Sequence, residues 1–114
     1  MIDLKQAELH QWQVKNFGEH SDDVLKCALG MAEECGEICH HVLKGTQRIR
    51  GGVNGMQKGE IADGVADVLI YGVQLLSLIG LDAEAEIATV IDHVLKRNWI
   101  DDPSGPTGAI QESK

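Results

Sequence analysis

The apolar residues of this chain return at steps of three and four over most of its length, and no stretch alternates convincingly as a strand would. Proline does not interrupt the pattern, because Pro103 and Pro106 both fall after it has ended. Helices are the regular element that such a pattern supports. The 114 residues leave room for one core, and Trp12, Phe17, Tyr71 and Trp99 are its only aromatic residues. Leu, Ile, Val, Ala and Met must therefore do most of the packing, which suits helix against helix.

Four helical segments follow. The first runs from about Leu4 to Phe17. The second is capped by Ser21, with Asp22 and Asp23 at its positive end, and runs to about Lys44, stopping at Gly45. It carries two adjacent apolar rows, Val24, Ala28, Met31, Cys35, Ile38 and Val42, and Leu25, Leu29, Ala32, Cys39 and Leu43, so its stripe is wide and should face a substantial core. The third runs from Met56 or Glu60 to Ile79 and is apolar on most sides, as a central helix is. The fourth, capped by Asp82, runs from Ala83 to about Trp99, with Ile87, Ile91, Val94 and Asn98 as its inward row. Short links and one glycine-rich loop, Gly45 to Gly59, imply an all-α, four-helix up-down bundle over residues 1–100, with a flexible tail over 101–114. So much apolar surface on a small bundle also predicts a homo-oligomer.

A composition of 43% hydrophobic and 25% charged residues fits a soluble globular chain rather than a disordered one. The net charge of −8 argues against a nucleic-acid partner, whose footprint is basic. No uninterrupted apolar run reaches the roughly 18 residues of a membrane span, and MIDLKQAELHQW lacks the apolar stretch of a secretory signal. The expected location is cytoplasmic, with Cys27, Cys35 and Cys39 reduced and buried.

Acidic residues on these apolar helices carry the chemistry. Glu34 and Glu37 share a face of the second helix, with Glu33 beside them, and Glu34 lies at the edge of the apolar stripe. Glu60, Asp63 and Asp67 form one row on the third helix, which Tyr71 and Gln74 continue. Antiparallel pairing about the loop puts Glu34 level with Asp67 and Glu37 level with Asp63. Four carboxylates at one height repel unless a cation joins them, and all-oxygen ligands favour Mg²⁺ or Mn²⁺. The competing reading is a solvated acidic face on each helix. Lys44, Arg48, Arg50 and Lys58 lie in or beside the loop, and Lys96 and Arg97 end the fourth helix. Basic side chains around a metal-filled acidic centre suit a polyphosphate; ordinary surface solubility is the competing role. Asn98 could contact phosphate or base, or cap its helix.

Two blocks, Ala28–Gly45 (ALGMAEECGEICHHVLKG) and Asp63–Tyr71 (DGVADVLIY), resemble the MazG-like all-α nucleoside triphosphate pyrophosphohydrolases. Gly80-Leu81-Asp82, Ile49-Arg50-Gly51 and Arg97-Asn98-Trp99 extend the likeness over most of Trp12 to Trp99, closest to the MazG-related branch. The family pattern Glu-Glu-x-x-Glu is matched by Glu33, Glu34 and Glu37. In the following Glu-x-x-Asp, Asp67 matches but Gly64 replaces the glutamate, so Asp63 or Glu60 must substitute.

The resemblance implies Mg²⁺-dependent hydrolysis of a nucleoside triphosphate to monophosphate and pyrophosphate by a dimer or dimer of dimers. Glu34, Glu37, Asp63 and Asp67 would hold metal, and Glu33 or a ligand carboxylate would orient or deprotonate the water. Lys44, Arg48, Arg50, Lys96 and Arg97 would hold the outer phosphates. Tyr71, Trp12 and Phe17 are candidates for the base pocket, with Tyr71 best placed and core packing the competing role for the other two. Glu37-Ile-Cys-His40 is one Glu-x-x-His step, but a di-iron bundle needs a second. A non-catalytic nucleotide- or protein-binding module is the remaining alternative.

Overall fold

The structure, a computed structural model, describes residues 3–18, 23–49 and 57–105. These form four α-helices and, among the described residues, no strand: α1 Gln6–Phe17, α2 Asp23–Gln47, α3 Lys58–Leu78 and α4 Ala83–Leu95. The chain forms two compact units, Met1–Ala83 and Glu84–Lys114.

In the first unit α2 packs along α3, and α1 packs against α3 as well. The antiparallel register is read from matched neighbours: Cys27 meets Gln74, Glu34 meets Asp67, and Gly30 and Gly64 lie against Tyr71 and Ile38. Gln6 ties α1 to the far end of α3. Its amide nitrogen donates to Ser77 Oγ at 3.0 Å and to the Leu81 carbonyl at 2.9 Å, and its Oε1 accepts from the Ala83 N–H at 2.7 Å. By length and composition α3 is apolar enough to cross a membrane, yet Asp63 and Asp67 are on it and two helices pack along it.

Two helix ends differ from expectation. α2 does not stop at Gly45: that glycine is buried within the helix, which continues to Gln47 and ends where Arg48 turns left-handed at φ 60°. The Thr46 hydroxyl donates to the Val42 carbonyl at 2.9 Å within this added turn. The start of the expected loop is therefore helical, and residues 50–56 lie outside the described ones. α4 ends at Leu95 rather than near Trp99, because the Asn98 side chain organises a turn of its own.

The wide stripe of α2 is only partly covered. Met31 and Ile38 are half-buried, but Val24, Ala28, Cys35 and Val42 from the same row are exposed, as is the whole second row. On α3, Val65, Leu69 and Ile70 are exposed too. A single neighbouring helix covers one strip of a cylinder, and among the described residues of this unit the second strip is left exposed. Cys35 and Cys39 are consequently exposed and only Cys27 is buried; all three are free thiols. Trp12 and Phe17, 51% and 55% exposed, pack edge to face on each other at 5.7 Å and are not core residues.

In the second unit, Ile87, Val90, Ile91, Val94 and Leu95 of α4 are exposed. Residues 101–105 form hydrogen-bonded turns in which the Asp102 N–H donates to the Asn98 carbonyl at 2.8 Å and the Gly105 N–H to the Asp102 carbonyl at 3.0 Å. The rest of the expected tail, 106–114, and the capping residues Ser21 and Asp22 lie outside the described residues.

Candidate functional site

The close approach of α2 and α3 builds the site. A Cβ on Gly64 would lie 2.7 Å from Ile38 Cγ1, so only a glycine lets the two helices meet there. Position 64 is buried against Ile38 and has no space for a carboxylate. Two turns away, Gly30 plays the same part for Tyr71, whose ring atoms would stand 2.5 Å from an added Cβ.

Between these two contacts Glu34 meets Asp67. The Glu34 carboxyl is pushed above the usual carboxylate range, first by burial, then by the Asp67 charge and a side-chain hydrogen bond shared with Asp67, and lastly by Glu33 and Glu37. A shared proton is one way two facing carboxylates relieve their repulsion; a divalent cation is the other. Around this pair lies a hollow of about 310 Å³, lined by Glu33, Glu34, Glu37, His41, Glu60, Asp63, Gly64 and Asp67. The structure thus brings the four carboxylates expected as ligands to one hollow, with both Asp63 and Glu60 on its wall. Among the described residues, however, no group of three or more His, Cys, Asp or Glu side chains converges closely enough to hold a metal ion. The contact is a pair, and the other acids stand around it.

Other expected site residues are more scattered. Glu33 borders the acidic hollow and also a neighbouring one shared with Lys26, Leu29, Gly30 and Tyr71. Lys44 Nζ donates to Gln47 Oε1 at 3.2 Å, Arg48 is exposed, and Arg50 lies outside the described residues. Lys96, Arg97 and Asn98 belong to the second unit, where each has a local partner. Lys96 pairs with Asp92 at 3.0 Å, and the Arg97 guanidinium lies 5.9 Å from the centre of the Trp99 ring. Asn98 Oδ1 accepts from the Ile100 and Asp101 N–H groups, each at 3.0 Å.

Sequence reasoning missed His41 as part of the site. His41, rather than His40, lines the acidic hollow, with Nδ1 donating to Gln57 Oε1 and Nε2 at 3.8 Å from Glu37 Oε2. Its signal was its place one turn beyond Glu37, at i+4. Gln13 and Lys26 were also missed; both line a separate cavity with Phe17, Cys27, Tyr71 and Gln74. Comparison with protein-family models, curated proteins and solved structures finds no match to this chain.

Proposed function

We propose that this chain is a Mg²⁺-dependent nucleoside triphosphate pyrophosphohydrolase of the MazG-like kind, with Mn²⁺ as an alternative ion. The observation that supports it is the Glu34–Asp67 contact inside a hollow walled by acidic residues. Phosphate-handling Mg²⁺ sites use one or two carboxylates and complete the shell with water and substrate oxygens. A facing carboxylate pair fits that donor set without Glu37 and Asp63 closing on the same point.

When bound, the cation supplies positive charge at the α-phosphate and acidity to a water. Glu33 orients that water or accepts its proton. Lys44, Arg48 and Arg50, which follow the acidic segment of α2, hold the β- and γ-phosphates. Water attacks the α-phosphorus, the bond to the bridging oxygen breaks, and pyrophosphate leaves with its charge held by these side chains. The chain works in the cytoplasm as a homodimer or dimer of dimers, without nucleic acid or membrane as partner. The uncovered apolar rows of α2 and α3 are the surface a second copy would bury.

A panel of nucleoside triphosphates with Mg²⁺, followed by product analysis, tests the reading. Monophosphate and pyrophosphate are expected from wild type and neither from Asp67→Asn. Orthophosphate as the product would reject it. A second reading, a non-catalytic nucleotide-binding module, draws on the absence of three converging donors among the described residues; binding without turnover by metal-loaded wild type would favour it.

A further inference from the structure

The α2–α3 pair has two sides of opposite chemistry. The acidic hollow occupies one. On the other, α2 presents Cys35 and Cys39, both exposed and both free thiols. With about 100° of turn per residue, the midpoint of this thiol pair lies roughly 150° around α2 from the midpoint of Glu34 and Glu37. The neighbours of the thiols on that side are Ala32, Gly36, Val42 and Leu43, all exposed and none ionisable. A Cβ built on Gly36 meets nothing within 4 Å, so the surface beside the two thiols is open.

The two cysteines are one turn apart inside a continuous helix, Asp23–Gln47. Side chains at i and i+4 hold their Cβ atoms about 5–6 Å apart. A disulfide needs about 3.5–4.5 Å, so the pair does not close on itself while the helix is intact. An ion placed between the sulfurs meets no such difficulty. Bonds of about 2.3 Å from each thiolate to a metal let the sulfurs stand up to about 4.6 Å apart. The donors also select the ion. Thiolates favour soft ions, and among the described residues no third Cys, His, Asp or Glu converges with these two. Structural zinc asks for four ligands. A soft ion content with two is Cu(I).

We propose that Cys35 and Cys39 form a two-thiolate site for a soft monovalent cation of the Cu(I) type. Each thiol gives its proton to solvent, and the sulfur pair binds the ion with no change in oxidation state. Carboxylates suit hard ions and thiolates soft ones, so the two sides of the helix pair sort cations by hardness. The site stands on the thiol pair and does not depend on the nucleotide reading. It does bear on the homodimer, because a second copy seated on the apolar rows of α2 would cover the same thiols. Ion and second copy then compete, and loading should lower the mass of the particle.

The full chain, reduced and kept anaerobic, is titrated against Cu(I) held by a coloured chelator, and loss of the chelate colour reports uptake. One Cu(I) per chain is expected, with an ultraviolet thiolate-to-copper band. Cys35→Ser and Cys39→Ser should each weaken uptake by about 100-fold or more, since the second sulfur no longer binds within the same molecule. Both substitutions fall at exposed positions, so the helical circular dichroism of each variant should match wild type. Zn²⁺ at equal concentration should not displace the ion. No uptake by wild type, equal uptake by the double variant Cys35→Ser, Cys39→Ser, displacement by Zn²⁺, or one Cu(I) shared between two chains overturns the site. Uptake at unchanged mass in light scattering keeps the site and moves the second copy to another surface.

Discussion

Alanine at Gly64 tests the helix contact on which the acidic site is built. Replacing an interior helical glycine by alanine ordinarily stabilises by about 0.5–1 kcal/mol, because the unfolded chain loses freedom. Gly36 on α2 has nothing within 4 Å of the added methyl, so Gly36→Ala should show that gain undiluted. At Gly64 the same methyl would sit 2.7 Å from Ile38 Cγ1, where ordinary contact begins at 3.4 Å, so Ile38 must withdraw by about 0.7 Å. Ile38 is β-branched and cannot swing aside at χ1. Overpacking of this kind costs about 1–3 kcal/mol. Gly64→Ala should then range from neutral to about 2 kcal/mol destabilised, and lie about 1–3 kcal/mol below Gly36→Ala. Thermal melts followed by helical circular dichroism would show that gap as a Tm difference of roughly 5–20 °C. Gly64→Glu should be worse still and should not add a ligand. Equal Tm shifts for Gly64→Ala and Gly36→Ala would refute the Ile38–Gly64 contact, and with it the register that brings Glu34 to Asp67.

Three further outcomes are expected. Because the Glu34 carboxyl is raised on folding, the native state holds its proton where the unfolded chain has released it; that stability is present at low pH and is lost as pH rises through the folded value. In the presence of a chelator, Tm should therefore fall as pH rises above the usual carboxylate range, more steeply in wild type than in Glu34→Gln, and parallel curves would count against the pair. Mg²⁺ should raise Tm in wild type and much less in Glu34→Gln or Asp67→Asn; an equal response in all three would mark the acids as solvated surface. Light scattering should report a mass above the 12.4 kDa of one chain, and a compact monomer at micromolar concentration would contradict the oligomer.

Helix positions were legible because periodicity and the placement of proline are local properties. α1 and α3 fall within a few residues of the expected limits, and no strand was foreseen. Opposition of Glu34 and Asp67 was legible as well, since an antiparallel hairpin keeps the sum of facing residue numbers nearly constant and helical rise does the rest. What only the tertiary structure decided depends on neighbours distant in the chain. Periodicity marks α2 as amphipathic but cannot say which strip α3 will cover, so Cys35 and Cys39 read as buried and are exposed. Gly64 looked like a missing ligand until Ile38 was seen against it. Gln13 and Gln74 are ordinary polar letters until two helices close around Cys27 and leave one end of each amide without a partner, because whether a buried polar atom is satisfied is a property of the atoms around it.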